Sequence, residues 1–471
     1  MRKTKIICTL GPAVDDEALI RALVLNGMNA ARFNFSHGTR ESHLAQLTKL
    51  KRVRDELCRP VATILDTKGP EVRVKSFPRG PVELVSGAGF ILTTEEVEGD
   101  ARRVSVTYPS LHLELAPGNR VLIDDGLLEL RVTEIRGRDI HCVVVIGGLL
   151  SSNKSINIPD VHILLPSLTE PDKEDIRFAV AHEFDFIAAS FIRRAADVED
   201  IRAELRRQGG EEIRIIAKIE NREGVNNLAE IIAASDGVMV ARGDLGVEIP
   251  PHEVPVLQKK MIVETVCRGK PVIIATQMLD SMIRNPRATR AEVSDVANAV
   301  FDGASCVMLS GETASGRYPV EALSTMVNTV IAAENATNYW GRFIKRNYMV
   351  RGSVNDAITH ACCLTAMDLS AHAILTATKT GHTARMISRF RPPCPIVALT
   401  PTERTRRQLA ISWGVHPFLT GSVDSTDRLF SLCVECARKE KVVAPGDMVV
   451  ITAGVPIGKA GSTNLIKAQV V

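Results

Sequence analysis

A chain of 471 residues that is 45% hydrophobic, 24% charged and only 4% aromatic has the composition of a folded globular protein, and its length predicts two or three domains. The net charge is only +3 and Lys and Arg are spread without a long basic run, so nucleic acid is not an expected partner. No apolar run approaches the ~20 residues that span a bilayer, and Met1-Arg2-Lys3-Thr4-Lys5 passes into a strand-like segment without the apolar core of a signal peptide. A cytoplasmic protein with no membrane partner is therefore expected. The ten cysteines are scattered, several in apolar runs (Cys8, Cys142, Cys306), and the C-x-x-C of Cys433 and Cys436 has no second pair. Reduced thiols are expected in preference to zinc or a disulfide.

In chain order, short β-branched runs fall at residues 5–10, 30–35, 61–65, 184–191, 214–219, 237–240, 272–275 and 306–309, most of them followed by a helical pattern. Near-continuous apolar strands alternating with helices indicate a parallel sheet buried on both faces. Eight of them predict a closed (β/α)8 TIM barrel, formed by residues 1–69 and 169–340. Residues 70–168 break the alternation with short strands at 72–75, 90–94, 120–123 and 127–135, and Asp124-Asp125-Gly126 is a hairpin signal. An inserted small β-barrel domain lying over the mouth as a lid is the economical reading. Residues 341–352 are basic and aperiodic, as in a connector. Beyond them, runs at 373–376, 396–399 and 448–451 predict a smaller α/β domain with an open parallel sheet, taken as 341–471.

In such a barrel the residues just past each strand gather at one mouth. Here they include Arg32, Asn34, Ser36 and His37; Asp66, Thr67 and Lys68; Lys218 and Glu220; Arg242, Gly243 and Asp244; Thr276 and Gln277; and Ser310, Gly311 and Glu312. A polar strand end is ordinary taken singly, but charges of both signs at most of the ends are not. In Ile216-Ala217-Lys218-Ile219-Glu220-Asn221, Lys218 and Glu220 leave one strand on the same face. With Asp244 from the next strand they set a cation and two hard oxygen ligands around one point, which suits a phosphoryl group bound through a divalent metal.

With these residues in place, the chain resembles the pyruvate kinase family over essentially its whole length. The resemblance is carried by Lys3-Thr4-Lys5-Ile6-Ile7-Cys8-Thr9-Leu10-Gly11-Pro12, Arg32-Phe33-Asn34-Phe35-Ser36-His37-Gly38, Leu65-Asp66-Thr67-Lys68-Gly69-Pro70-Glu71-Val72-Arg73, the Lys218 and Asp244 segments, Ala275-Thr276-Gln277-Met278-Leu279 and Met308-Leu309-Ser310-Gly311-Glu312-Thr313. It implies transfer of the phosphoryl group of phosphoenolpyruvate to ADP, giving pyruvate and ATP in the last step of glycolysis, by a homotetramer. It implies that Glu220 and Asp244 hold Mg2+ or Mn2+, and that Lys218, free of competing partners, stabilises the phosphoryl oxygens and the developing enolate. Gly243 and neighbouring amides would take the substrate carboxylate, with Thr276 beside it.

Arg32 and Arg73 are implied phosphate contacts, and Arg73, Asn34, His37 and Lys154 nucleotide contacts. Asn34, Ser36, Asp66 and Thr67 are the implied K+ ligands. Relatives that dispense with potassium tend to carry Lys where this chain has Glu71, so potassium dependence is expected. Ser155 and Asp160 stand where the family usually shows Gly, which implies altered lid flexibility or nucleotide affinity. The proton donor to the enolate stays open among Thr276, Ser310 and a water chain.

In the last domain, Thr376-Ala377-Thr378-Lys379-Thr380-Gly381-His382-Thr383-Ala384 follows a predicted strand and opens a predicted helix. Hydroxyls, a glycine and free amides there make an anion site. The resemblance assigns Thr378, Lys379, Thr380, Gly381, His382 and Thr383 to a phosphorylated allosteric effector, a sugar phosphate or a nucleotide. His382 stands where many relatives have Arg or Lys, so affinity there is expected to vary with pH. Gly458 to Asn464 resembles a second wall of that pocket. Trp413 is either packing or a stacking group. Two other readings are a metal-dependent lyase acting on pyruvate-like substrates and a non-catalytic effector-binding protein.

Overall fold

The computed structural model describes residues 1–161, 163–345, 352–421, 425–456 and 463–471. Eight parallel strands close into a barrel in sequence order: Lys5–Leu10, Ala30–Asn34, Ala62–Asp66, Phe186–Ala189, Arg214–Ile219, Gly237–Ala241, Val272–Ala275 and Cys306–Leu309. Alternation along each strand sends Ile7, Ile64, Ile216 and Ile273 into the barrel interior. Their neighbours Ile6, Leu65, Ile215 and Ile274 pack outward in the larger core shared with the helices. Ile411 of the C-terminal domain joins the interior cluster, and its carbonyl accepts from the Cys306 thiol at 3.2 Å, stoppering the foot of the barrel.

The helices start sharply. Thr39, Thr169 and Thr289 form capping boxes at the starts of Arg40–Glu56, Glu170–Ala181 and Arg290–Asp302. Asn221 caps Arg222–Asn226 by accepting from the Gly224 amide, which leaves Glu220 alone between the end of the fifth strand at Ile219 and the helix cap. Strand ends defined to the residue in this way hold the polar side chains at the mouth in fixed places.

The lid follows the third barrel strand. Its seven-stranded sheet has first and last members Val72–Arg73 and Arg103–Ser105. These edges meet through a Val74–Val106 bridge and bonds from Lys75 N to Ser105 O and from Thr107 N to Arg73 O. The sheet thus closes on itself, and its interior is a separate apolar core. Asp124, Asp125 and Gly126 all have positive φ, as the hairpin signal requires.

The C-terminal sheet has five strands, in the order Val415–Leu419, Ile396–Thr400, Ala373–Ala377, Met448–Gly454, Thr463–Val470. Two corrections to the sequence reading arise here. The sheet is not wholly parallel, because Thr463–Val470 pairs antiparallel with its neighbour. Residues 339–345 form a helix, Tyr339–Lys345, in place of the first part of a connector; Phe343 is buried beside Phe390 and His360.

This domain grips the barrel's foot. Arg407 pairs with the fully buried Asp185 at 2.9 Å, while Asp185 accepts from the Thr63 amide at the start of the third strand. Arg214, the first residue of the fifth strand, donates to Gln408 Oε1 at 2.8 Å and to the Thr380 carbonyl at 3.0 Å. Lys5, opening the first strand, donates to the Val415 carbonyl at 2.6 Å. Trp413 is buried, with the Arg391 guanidinium over its ring and Tyr339 beside it, and is a packing residue. Cys433 and Cys436 are free thiols. No helix among the described residues is long and apolar enough to cross a membrane.

Candidate active site

Five strand ends converge on one charged network at the barrel mouth. From the fifth strand, Lys218 donates to Asp66 Oδ1 at 3.0 Å, to Glu220 Oε1 at 3.0 Å and to Ser190 Oγ at 2.6 Å. From the second strand, the Arg32 Nε–H donates to the other oxygen of Asp66 at 2.5 Å, and its Nη1 donates to Thr9 Oγ1 at 3.1 Å. Thr9 in turn donates to the Leu309 carbonyl at 2.9 Å, which ties the first strand to the eighth. Asp66 and Glu220 are almost wholly buried. Such groups stay ionised only beside opposite charge.

Burial works against ionisation of Asp66, but Arg32 and Lys218 outweigh it and hold the carboxyl below its usual range. Burial likewise disfavours the Lys218 ammonium, and Asp66 and Glu220 outweigh it, leaving the amine above its ordinary value. Glu220 behaves differently. Burial pushes it up to about 7; the attraction of Lys218 opposes this without cancelling it, and repulsion from Asp244 adds to the rise. Two hard carboxylates that repel one another are what a divalent cation relieves, so Glu220 and Asp244 fit a Mg2+ or Mn2+ ion. No group of three or more potential metal-binding side chains occurs among the described residues; a metal held here would take its remaining ligands from substrate and water.

The sixth and seventh strand ends supply a second element. The Gly243 amide donates to Thr276 Oγ1 at 2.8 Å. Thr276 and Gln277 have φ of +68° and +53°, a costly conformation for a β-branched residue, worth about 1–3 kcal/mol of strain. Arg242 holds that turn, donating to the Thr276 carbonyl at 2.7 Å and pairing with Asp295 at 2.6 Å. A Cβ placed on Gly243 would make only ordinary contacts with Thr276, so nothing in the protein itself demands glycine there. Ser310 Oγ is buried with no partner among the described residues.

The sequence reading expected Lys218 to have no competing partner, and this is corrected: it has three. Asp66, expected among the monovalent-cation oxygens, has both oxygens engaged by Lys218 and Arg32. Asn34 lies in register with it at the end of the neighbouring strand, Ser36 is exposed in the following turn, and Thr67 is buried. His37 is exposed at the rim.

In the lid, Arg73 is clamped by Glu71 at 2.6 Å and donates to the Asn153 carbonyl at 2.6 Å, while Lys154 pairs with Asp124 at 2.8 Å. Asp160 has φ of +62°, which explains why glycine suits this position and why Asp, among the tolerant residues, is accepted. Ser155 lies in a lid strand opposite Arg73. A cavity of about 390 Å3 separates lid residues Ser155–Asn157, Asp160 and Val161 from Phe191, Asn221 and Asp244 of the barrel.

Sequence reasoning missed Ser190, which directly follows the fourth barrel strand, and Thr9, the second-to-last residue of the first. They carry no charge, and the signal that could have found them was position at a strand end alone.

The candidate effector loop lies at the other end of the molecule. Gly381 is left-handed, with φ of +78°, and opens the helix His382–Ser388. The Thr378 amide bonds the Leu399 carbonyl, the Lys379 carbonyl accepts from Thr405, and Thr383 Oγ1 meets Thr463 Oγ1 at 2.7 Å. Asn355 Nδ2 donates to His382 Nε2 at 2.7 Å. Burial, then Arg385 and Arg214, lower the His382 pKa. Of the expected second wall, residues 458–462 lie outside the described residues.

Residues 1–323 match the family model "Pyruvate kinase, barrel domain" and residues 356–469 match "Pyruvate kinase, alpha/beta domain". The chain belongs to the pyruvate kinase family. It is 49% identical over 472 residues to a pyruvate kinase of Clostridium acetobutylicum, covering all of both chains. It is 48% identical over 476 residues to one from Sporosarcina psychrophila, covering all of this chain and 81% of the relative. A crystal structure of a pyruvate kinase from Cryptosporidium parvum superposes with a TM-score of 0.94 at 39% identity, over 100% of this chain and 96% of that one. Pyruvate kinases are phosphotransferases and generally metal-dependent, and this chain is an enzyme of that kind.

Proposed function

We propose that this enzyme transfers the phosphoryl group of phosphoenolpyruvate to ADP at the Lys218 network, and the observation that carries the reading is the ammonium shared between Asp66 and Glu220 at 3.0 Å each. Phosphoryl transfer leaves a protein mainly positioning and charge stabilisation to perform. Lys218 supplies positive charge where the phosphoryl oxygens and the enolate oxygen develop negative charge. Arg32, oriented by Asp66 and Thr9, presents its guanidinium to the phosphate. The Gly243 and Asp244 amides and the Thr276 hydroxyl orient the substrate carboxylate. Glu220 and Asp244 hold Mg2+ or Mn2+, which supplies Lewis-acid charge neutralisation when bound.

Asn34, Ser36 and Thr67, with Asp66 contributing negative charge nearby, form the K+ site. Arg73, His37, Asn34 and Lys154 contact the nucleotide; Arg73 and Lys154 would exchange their present carboxylate partners for phosphate as the lid closes. The loop from Thr378 to Thr383 takes a phosphorylated effector, and the working form is a cytoplasmic homotetramer, as is usual for the family. The barrel domain spans residues 1–69 and 169–340, the lid 70–168 and the regulatory domain 341–471.

The test is pyruvate formation from phosphoenolpyruvate and ADP with Mg2+ and K+ present. ADP-dependent turnover supports the reading. Enolate chemistry on pyruvate-like substrates without any ADP requirement would favour a lyase instead. Lys218→Met should lower kcat by about 1,000-fold, and unchanged turnover would remove Lys218 from the mechanism.

A further inference from the structure

Ser190 lies just beyond the fourth barrel strand and is 5% exposed. Its hydroxyl donates to the Thr67 carbonyl at 2.6 Å, and its amide donates to Thr67 Oγ1 at 3.3 Å. Asp66 Oδ1 lies farther off, at 3.4 Å, so the single hydrogen goes to the nearer Thr67 carbonyl and the hydroxyl turns a lone pair to the Lys218 ammonium, which donates to it at 2.6 Å. The position is locked from the other side as well. Gly69, with φ of +72°, passes so close that a Cβ on it would lie 2.8 Å from the Ser190 Cβ.

An ammonium has three N–H donors, and Lys218 has three close acceptors. Two are carboxylates, Asp66 and Glu220. Each has a competing task, since Asp66 also holds Arg32 and Glu220 is a metal candidate. Ser190 is the one neutral acceptor. A hydrogen bond to a neutral hydroxyl is weaker than one to an ionised carboxylate, so it is the bond Lys218 surrenders most cheaply when a phosphoryl oxygen arrives. Until then it fixes the direction of the third proton.

We propose that Ser190 is a positioning residue for phosphoryl transfer: it aims the Lys218 ammonium, using a hydroxyl whose own hydrogen is pinned on the Thr67 carbonyl, and yields its place to the phosphoryl group. This rests on the reading of Lys218 as the phosphoryl-stabilising group. Ser190 acts on the reaction through Lys218, so removing it costs turnover more than substrate affinity.

The full-length enzyme carries the test. Ser190→Ala should lower kcat about 10- to 30-fold, with the KM for phosphoenolpyruvate changed less than about threefold. Ser190→Thr, which keeps the hydroxyl, should recover kcat to within about threefold of the parent; if the extra methyl prevents folding, Ser190→Cys, a weaker hydrogen-bonding partner, should fall between parent and Ser190→Ala. The deciding measurement is a double-mutant cycle. In a Lys218→Arg background, adding Ser190→Ala should cost less than about twofold, because the group it positions is already gone. Losses that multiply would overturn the proposal, as would a parental kcat in Ser190→Ala or a loss confined to KM. Failure of the underlying reading looks different: Lys218→Arg and Lys218→Met would then both retain the parental kcat.

Discussion

Lys218 and Asp66 meet at 3.0 Å, and the same carboxylate holds Arg32 through its second oxygen, so one buried negative charge fixes two cations at the barrel mouth. Asp66→Asn keeps the shape but removes the charge. Breaking a buried pair from one side costs about 3–5 kcal/mol because the partner stays buried and uncompensated. The expected outcome is a melting temperature several degrees lower and a kcat reduced by at least about 100-fold. Calorimetry and steady-state kinetics on the same preparation check both, and an Asp66→Asn enzyme with parental stability would show that Glu220 alone satisfies Lys218.

Gly243 offers a cleaner separation of folding from function. It lies in a helical turn where an added Cβ meets only ordinary contacts, and Ala is favoured over Gly in a helix by about 1 kcal/mol. Gly243→Ala should therefore fold with equal or slightly higher stability, while the KM for phosphoenolpyruvate rises about tenfold because the methyl group occupies space reserved for the carboxylate. An unchanged KM would place the carboxylate elsewhere.

Potassium dependence is the third expectation. On the proposed reading, Asn34, Ser36 and Thr67 would add neutral oxygens to the one carboxylate of Asp66, whose charge is already shared. That suits a weakly bound monovalent ion better than a second divalent one. Turnover should fall at least about tenfold in buffers containing only tetramethylammonium and be restored by potassium chloride. Full activity without any alkali cation would show that the Glu71–Arg73 pair does not mark a potassium-requiring enzyme.

The domain junction at the barrel's foot should be acid-labile. Burial, then Lys5 and other nearby cations, push His416 down to about 2, and its Nε2 has no partner among the described residues. The unfolded chain therefore binds a proton below about pH 6.5 that the folded chain refuses, and stability falls as pH falls through that range. Lys5 acts in the same sense higher up. Burial, with Arg2 repulsion, lowers it to about 7, so the unfolded chain is the more protonated between about 7 and 10.5 and stability rises with pH there. The pH dependence of the melting temperature reads both. His416→Asn should flatten the slope between pH 5 and 6.5, and Lys5→Met the slope above pH 7. Parental slopes in both variants would show that neither group stays uncharged in the fold.

Much of this was legible in the chain because charge at the end of an apolar run is a strong local signal. Lys218, Glu220 and Asp244 stand out for that reason, and the barrel follows from eight such runs. Ser190 and Thr9 were not legible, since a hydroxyl at a strand end is what most folds put there; their roles exist only once neighbouring strands are in register. The strand Val415–Leu419 hides for a different reason. It carries Pro417, tolerated because this is the edge of its sheet. The antiparallel Thr463–Val470 is half polar and half-exposed, without the apolar run of a buried strand. The partners of Lys5 and Asp185 are several hundred or about two hundred residues away in the chain, and no local pattern announces them.

The fifth barrel strand is gripped at both ends. Arg214 at its foot is bonded to the Thr380 carbonyl in another domain, and Lys218, four residues on, lies about 13 Å away at the mouth. A strand hydrogen-bonded on both sides does not bend over so short a span. It behaves as a rod through the barrel wall, with a handle in one domain and a working tip in the other. A sideways step of Thr380 is therefore met at the foot of the strand that carries Lys218: the Arg214 side chain swings to follow it, the bond breaks, or the rod shifts.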